Sequence, residues 1–303
     1  PQPGESVYDP TCGSGGLLLN CALHLKEEGK EYRTLKLYGQ EINLLTSAIA
    51  RMNMFMHGIE EFQIVRGDTL ANPGLLENDE LKKFNVILAN PPYSIKSWDR
   101  KSFENDPYGR NIWGTPPQGC ADYAFQQHIQ KSLDIHNGRS ISLWPHGILF
   151  RDSEANMRRK MIEEDLVECV IGLGPNLFYN SPMEACLLIT KTNKEPSKQG
   201  KILFINAVNE VKQESNMGYL LPSHIDKIFD AYQQFETIGD FSILVDGQEV
   251  LDKKANMAIN LYVRQSALNS DDSIDFGEAY KQWEQSSVGL KGSMNKLFVE
   301  LSA

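Results

Sequence analysis

The chain is 303 residues long, 41% hydrophobic and 23% charged, a balance that supports a full core and excludes disordered and fibrous proteins. No run approaches the ~18 apolar residues of a membrane span, so a soluble chain with no membrane partner is expected. Thirty Lys and Arg against forty Asp and Glu leave a net charge of −10, and neither half of the chain is net positive. A protein that grips nucleic acid unaided is thereby disfavoured, and such a substrate would need local basic patches or a partner.

In chain order, short apolar runs alternate with helical patterns through the first two-thirds. The strands are predicted at 6–8, 35–39, 62–66, 84–89, 139–144, 167–173 and 185–191, and the helices at 17–28, 44–57, 123–133 and 154–164. This alternation predicts an α/β domain with a mostly parallel sheet. Gly29 suits the left-handed position that closes the first helix. Residues 94–119 fit neither period and carry Trp98, Phe103, Tyr108 and Trp113; a segment this long reads as a lid, a binding loop or disorder, with Trp98 and Trp113 as its anchors. Beyond residue 192 the pattern loosens to a strand at 202–206, a helix at 223–232 and two apolar stripes: Phe276, Tyr280 and Trp283, then Leu290, Met294, Leu297 and Leu301. The second stripe suits a partner helix or the chain's own core equally. The reading divides the chain into a catalytic core at 1–192, an extension at 193–265 and a helical tail at 266–303.

The five cysteines, Cys12, Cys21, Cys120, Cys169 and Cys186, form no Cys-x-x-Cys pair. Zinc ribbons and disulfide scaffolds are disfavoured, no metal is expected, and a reducing cytoplasm is the natural compartment. The sequence opens with neither Met nor a charged-then-apolar leader, so a signal peptide and the natural start of the chain are both expected to be missing.

Four predicted strands run directly into polar or Gly-rich turns, and in an open α/β sheet such carboxyl ends share one ligand-binding edge. The first turn is Asp9-Pro10-Thr11-Cys12-Gly13-Ser14-Gly15-Gly16. Its glycines permit close backbone approach and it opens a helix whose N–H groups are free. It has neither the spacing of the dinucleotide fingerprint nor a P-loop Lys, and Asp9 suits a ligand carrying an ammonium group. Glu41 ends the second strand, where a carboxylate can accept from both hydroxyls of a ribose. Asp68 ends the third and can accept from an adenine amine. Singly, each is an ordinary solvated acid; together the three describe a cradle for S-adenosylmethionine.

The fourth strand delivers Asn90-Pro91-Pro92-Tyr93. Asn-Pro and Pro-Pro are common breakers, yet this corner also solves a chemical problem. An aromatic amine is a poor nucleophile because its lone pair is delocalised into the ring. An Asn oxygen and a Pro carbonyl can accept its protons, favour a tetrahedral nitrogen and stabilise the charge developing on methyl transfer. Proline holds the corner with a fixed φ and no competing N–H. Tyr93 offers a face for an extruded base.

These motifs, in this order, resemble those of amino-group DNA methyltransferases of the γ arrangement. The segments at 122–129 (Asp-Tyr-Ala-Phe-Gln-Gln-His-Ile), 144–151 (Trp-Pro-His-Gly-Ile-Leu-Phe-Arg), 170–173 (Val-Ile-Gly-Leu) and 176–179 (Asn-Leu-Phe-Tyr) resemble the modification subunit of type I restriction-modification systems. The resemblance covers roughly residues 5–265. It implies a Rossmann-like S-adenosylmethionine-dependent methyltransferase fold with an antiparallel strand, and N6-methyladenine in double-stranded DNA as product. It also implies a specificity subunit that chooses the sequence and a restriction subunit that joins for cleavage; the specificity subunit would account for the acidic charge. Cofactor contacts fall on Asp9, Thr11, Gly13, Ser14, Gly15, Gly16, Glu41 and Asp68, catalysis on Asn90, Pro91, Pro92 and Tyr93, and base stacking on Tyr93 and Phe178, although a packed Phe178 is as natural.

The family's N-terminal helical domain and its aromatic-Thr-Pro segment would precede Asp9, where this sequence has eight residues; weakened cofactor affinity is expected. A second departure is at 180–185, Asn-Ser-Pro-Met-Glu-Ala, where the family has a Gly-containing turn ending in Thr-Cys. Two rival readings stay open: a protein-glutamine or RNA-guanine methyltransferase using the same corner, and a non-catalytic assembly subunit. A cytosine-C5 enzyme is disfavoured because the chain has no Pro-Cys, and Cys12 reads as a packed thiol.

Overall fold

Apolar runs bounded by turn residues become strands, and stripes at helical spacing become helices, throughout the first two-thirds of the chain. A computed structural model describes residues 1–178, 183–214 and 217–263, together with 283, 284 and 287. In chain order the elements are β1 (Ser6–Asp9), α1 (Gly16–Glu27), β2 (Lys36–Glu41), α2 (Leu44–Met56), β3 (Phe62–Arg66), the hairpin β4 (Leu76–Glu77) and β5 (Glu80–Leu81), β6 (Val86–Ala89), α3 (Arg100–Glu104) and α4 (Asp122–Ser132). There follow β7 (Arg139–Pro145), α5 (Ala155–Glu163), β8 (Val167–Leu173), β9 (Ala185–Lys191), β10 (Lys201–Ala207), the hairpin β11 (Lys212–Glu214) and β12 (Met217–Tyr219), α6 (Pro222–Gln234), β13 (Ser242–Asp246) and α7 (Gly247–Asp252). The chain divides into two units, Pro1–Arg264 and Gln265–Ala303. The tail positions Phe276, Tyr280, Leu290, Met294, Leu297 and Leu301 lie outside the described residues, as do Tyr179 and residues 180–182.

A nine-stranded sheet runs in the order β13-β10-β8-β9-β7-β6-β1-β2-β3. β1 pairs in parallel with β2 on one side, Val7 opposite Leu37, and with β6 on the other, Tyr8 opposite Ile87. The chain therefore winds outward in opposite directions from β1, and the crevice at the carboxyl ends of β1 and β6 is the topological switch point where such sheets bind ligands. Helices on the faces bury the sheet on both sides, so β8 is buried along its whole length and reads as a nearly continuous apolar run.

The one antiparallel strand expected becomes two within the nine-stranded sheet. β9 runs antiparallel to both β7 and β8, and the edge strand β13 antiparallel to β10. β13, α3, α7 and the two hairpins were not among the elements predicted from the sequence. Gly29 takes the left-handed conformation at φ +69°, with its N–H donated to Lys26 O and that of Lys30 to Leu25 O, closing α1 as expected. No helix among the described residues is long and apolar enough to cross a membrane.

Residues 94–119 are built onto the core. Trp113 is fully buried and Phe103 is 3% exposed. Trp113 donates its backbone N–H to Gln127 Oε1, and the Gln127 amide donates in turn to the carbonyl of Gly114, so two contacts from α4 clamp the segment. Trp98 donates its indole N–H to Gln118 O, closing the segment on itself. Of the readings offered for the segment, disorder is corrected, and the expected anchoring by Trp98 and Trp113 is seen, because Trp113 is buried in the core and Trp98 closes the segment on Gln118.

Candidate active site

Four strand ends meet at the switch point around a cavity of about 740 Å³. From the turn after β1 come Pro10 and Thr11; from those after β2 and β3 come Glu41, Asp68 and Thr69; from that after β6 come Asn90, Pro91, Pro92 and Tyr93. Trp98, Phe125 and Phe178 add aromatic wall. The structure thus brings Thr11, Glu41, Asp68, Phe178 and the whole Asn-Pro-Pro-Tyr corner to one space, although up to 167 positions separate Thr11 from Phe178 in the sequence.

The Gly-rich turn is shaped by its packing on β2 and α2. Cys12 N–H donates to Gln40 O at 2.9 Å, and a Cβ on Gly39 would lie 2.8 Å from Cys12 Sγ, so β2 needs glycine there for the turn to cross it. Gly15 caps α1 at φ +81°, and a Cβ on it would lie 2.8 Å from Met54 Cε; any other residue would strain the backbone and push on α2. Cys12 is buried with its thiol pKa pushed well up by burial and by the acids near it, as befits a packed thiol.

Five residues of the turn expected at the cofactor, Asp9, Gly13, Ser14, Gly15 and Gly16, do not line the cavity. Asp9 is 2% exposed and its carboxylate accepts from Thr11 N–H at 2.9 Å. It holds the turn from behind, because the strand end buries it. Gly13 N–H is donated to Glu41 Oε2 at 3.0 Å, and Asn53 reaches Ser14 O at 2.9 Å, tying the turn to β2 and α2. Glu41 also accepts from Asn43 N–H at 2.8 Å, so its carboxylate is fixed at the cavity wall by two backbone donors. Asp68 caps its own turn, accepting from Leu70 N–H at 2.9 Å and Ala71 N–H at 3.1 Å.

Burial, with the nearby Glu41 charge adding to it, pushes the Asp9 carboxyl up from 3.8 to about 7. Such a group binds more protons folded than unfolded, so the stability it contributes is complete below pH 3.8 and is lost as pH rises through 7. Asn at this position keeps an acceptor for Thr11 and has no charge to desolvate. Asp9→Asn is therefore expected to stabilise the fold more at pH 8 than at pH 5, by a margin on the order of 2 kcal/mol, measured by denaturant unfolding at both pH values.

At the Asn-Pro-Pro-Tyr corner, Tyr93 Oη donates to Asn90 Oδ1 at 2.6 Å. Burial holds the Tyr93 hydroxyl pKa up at about 12, so it stays a donor at neutral pH. The next residue, Ser94, is left-handed at φ +50°, and its N–H is donated to Asp122 Oδ1 at 2.7 Å. Asp122 is fully buried in the first turn of α4 and is held in turn by Arg151 at 2.6 Å. A left-handed residue tied to a buried carboxylate, itself paired with the half-buried Arg151, restrains the corner. Both partners lie in the segments quoted above, 122–129 and 144–151, but their role could not be read from spacing.

Gln40, Thr69, Trp98 and Phe125 line the cavity without having been singled out for it. Gln40 is fully buried and its side chain bridges Asn72 O and Gly74 N–H at 2.9 and 3.0 Å, a role visible only once β2 has its neighbours.

Comparison with known proteins follows the same line. The family model described as N-6 DNA Methylase matches residues 1–271. The methylase subunit of the type I restriction enzyme MjaVIII from Methanocaldococcus jannaschii is 31% identical in an alignment that covers 93% of this chain and 49% of that protein. The MpnII methylase subunit from Mycoplasma pneumoniae is 33% identical over 87% of this chain and 49% of its own length. The chain spans about half the length of these curated relatives. Among solved structures, the type I restriction-modification system methyltransferase subunit from Streptococcus thermophilus superposes with a TM-score of 0.79 at 33% identity, over 86% of this chain and 55% of that one.

Proposed function

Since the chain belongs to the N-6 DNA methylase family, alongside the methylase subunits of type I restriction enzymes, we propose that it transfers a methyl group from S-adenosylmethionine to the N6 amine of an adenine turned out of duplex DNA. Its fold is the Rossmann-like fold of methyltransferases that use this cofactor. The observation that carries the reading is the single cavity shared by Glu41 and Asp68 at one wall and Asn90 to Tyr93 at another.

The residues present fit the cofactor. Glu41 is an acceptor suited to a ribose diol, Asp68 to an adenine amine, and the buried Thr11 hydroxyl oxygen has no hydrogen-bond partner among the described residues. A buried polar atom without a partner is costly, and a polar ligand would satisfy it. The turn from Asp9 to Gly16 would hold the amino-acid end, with Gly13, Ser14, Gly15 and Gly16 shaping it and Asp9 setting the conformation of Thr11. When bound, S-adenosylmethionine supplies a methyl carbon activated by its sulfonium sulfur.

The chain's own residues do the rest. Asn90 Oδ1 and the Pro91 carbonyl accept the two protons of the amine and gather its lone pair on nitrogen. Pro92 keeps the corner stiff, and Tyr93 and Phe178 offer faces to the extruded base. The amine of the target takes the place of the Tyr93 hydroxyl on Asn90. Once methylated, the nitrogen is cationic and acidic and releases its proton to water, so no strong base is required.

The acidic balance of the chain supports a division of labour in which a specificity subunit contributes base recognition and much of the DNA grip, and a restriction subunit joins for cleavage. Five free, buried cysteines suit the cytoplasm. The test is incubation of the protein, assembled with a specificity subunit, with tritium-labelled S-adenosylmethionine and duplex DNA. Label is expected in N6-methyladenine; label in protein or RNA alone would overturn the reading.

A further inference from the structure

The segment 94–119 reaches across to the cofactor wall through one buried side chain. Arg110 is 2% exposed, as is the side chain of its partner Asp106. Its guanidinium meets Asp106 with Nε at 3.0 Å and Nη2 at 2.5 Å, between the rings of Phe103 and Tyr108 at 5.6 and 5.4 Å. The remaining donors leave the segment altogether: Nη1 reaches Thr69 O at 2.8 Å and Nη2 reaches Leu70 O at 2.7 Å. The Thr69 hydroxyl then donates to the carbonyl of Pro10. His128 stands 3.5 Å from Nη1, held by the Tyr8 hydroxyl at 3.0 Å.

A planar fork on two successive carbonyls fixes the orientation of the peptides that carry them. Those carbonyls belong to the turn that Asp68 caps, and Pro10 belongs to the Gly-rich turn; Pro10, Asp68, Thr69 and Leu70 all line the cavity. An anchor serving only its own segment would find acceptors there, as Trp98 and Arg100 do on Gln118 and Pro116. Trp98 and Ile95 of the same segment line the cavity beside Tyr93, so the segment touches both the catalytic corner and, through Arg110, the opposite wall.

We propose that Arg110 is a positioning residue through which segment 94–119 holds the cofactor end of the cavity in shape, so that cofactor binding and the packing of this segment are coupled. This rests on the reading of the cavity as a site for S-adenosylmethionine. Coupling is reciprocal: what the segment contributes to cofactor affinity, the cofactor returns as stability of the segment.

The experiment uses S-adenosylhomocysteine, calorimetry for affinity and hydrogen exchange over 94–119 for packing. Arg110→Met combined with Asp106→Asn removes the fork without leaving a buried charge unpaired, and Asn keeps an acceptor for the residue 110 N–H. Arg110→Lys is the second variant, since one ammonium cannot span both carbonyls. The wild type is expected to bind and to gain protection over 94–119. Both variants are expected to bind at least about tenfold more weakly, with the ligand-induced protection lost, while their unfolding stays cooperative. Equal affinity in wild type and variants, or wild-type binding without added protection, would overturn the coupling and leave the cofactor reading standing. Failure of the wild type to bind would overturn both.

Discussion

Replacing Asn90 with Ala is expected to slow methyl transfer on the order of 10²–10³-fold, the cost of removing one preorganised group from the place where charge develops. Cofactor affinity should be unchanged, because Asn90 stands at the corner and Glu41, Asp68 and Thr11 at the other wall. The substitution shortens an exposed side chain, so the fold should be unaffected; it also releases the Tyr93 hydroxyl from its 2.6 Å bond. Single-turnover transfer from labelled S-adenosylmethionine in the assembled complex reads the rate, and calorimetry with S-adenosylhomocysteine reads the affinity. An assembly subunit without catalytic work of its own would show no loss of methylation, and that outcome would sink the mechanism.

The second large effect belongs to Glu41. Each hydrogen bond from a hydroxyl to a buried or half-buried carboxylate is worth about 1.5–3 kcal/mol, so losing the two proposed ribose contacts through Glu41→Ala should weaken binding of S-adenosylhomocysteine by at least about 100-fold. The same change removes the acceptors of Gly13 N–H and Asn43 N–H, loosening the turn that shapes the site. It also removes a negative charge that helps to push the Asp9 carboxyl up, so the Asp9 pKa should fall in the variant. Glu41→Gln keeps one carbonyl oxygen and should fall between wild type and Ala. Affinity insensitive to both substitutions would mean that the ribose is held elsewhere.

That these two residues belong at one cavity was legible before any coordinates, and the reason is chemical. Poor nucleophilicity of an aromatic amine calls for rigid acceptors, and an Asn followed by two prolines is a compact way to write them. A carboxylate at a strand end beside a Gly-rich turn is an equally local signature. Asp9 was legible as an acid at a strand end but not in its orientation: burial against Thr11 N–H turns it away from the cavity, and that depends on how tightly β1 is enclosed. Arg110 was invisible for the same kind of reason. Its acceptors, Thr69 O and Leu70 O, are backbone atoms some forty positions away, and no residue pattern encodes a carbonyl.

From the sequence alone came the α/β alternation, most of the long helices, the Gly29 stop of the first, and the chemical character of the turns, since period and φ preference are properties of neighbouring residues. The order of strands, with β1 between β2 and β6, the reversal of the edge strand β13, and the hold of Arg110 on Thr69 and Leu70 were decided only in three dimensions. Pairing order follows from which apolar faces can be buried together and which backbone groups can be satisfied at once. That is a condition on the whole chain, and it is what brings the Gly-rich turn and the diproline corner, eighty positions apart, to the two sides of one crevice.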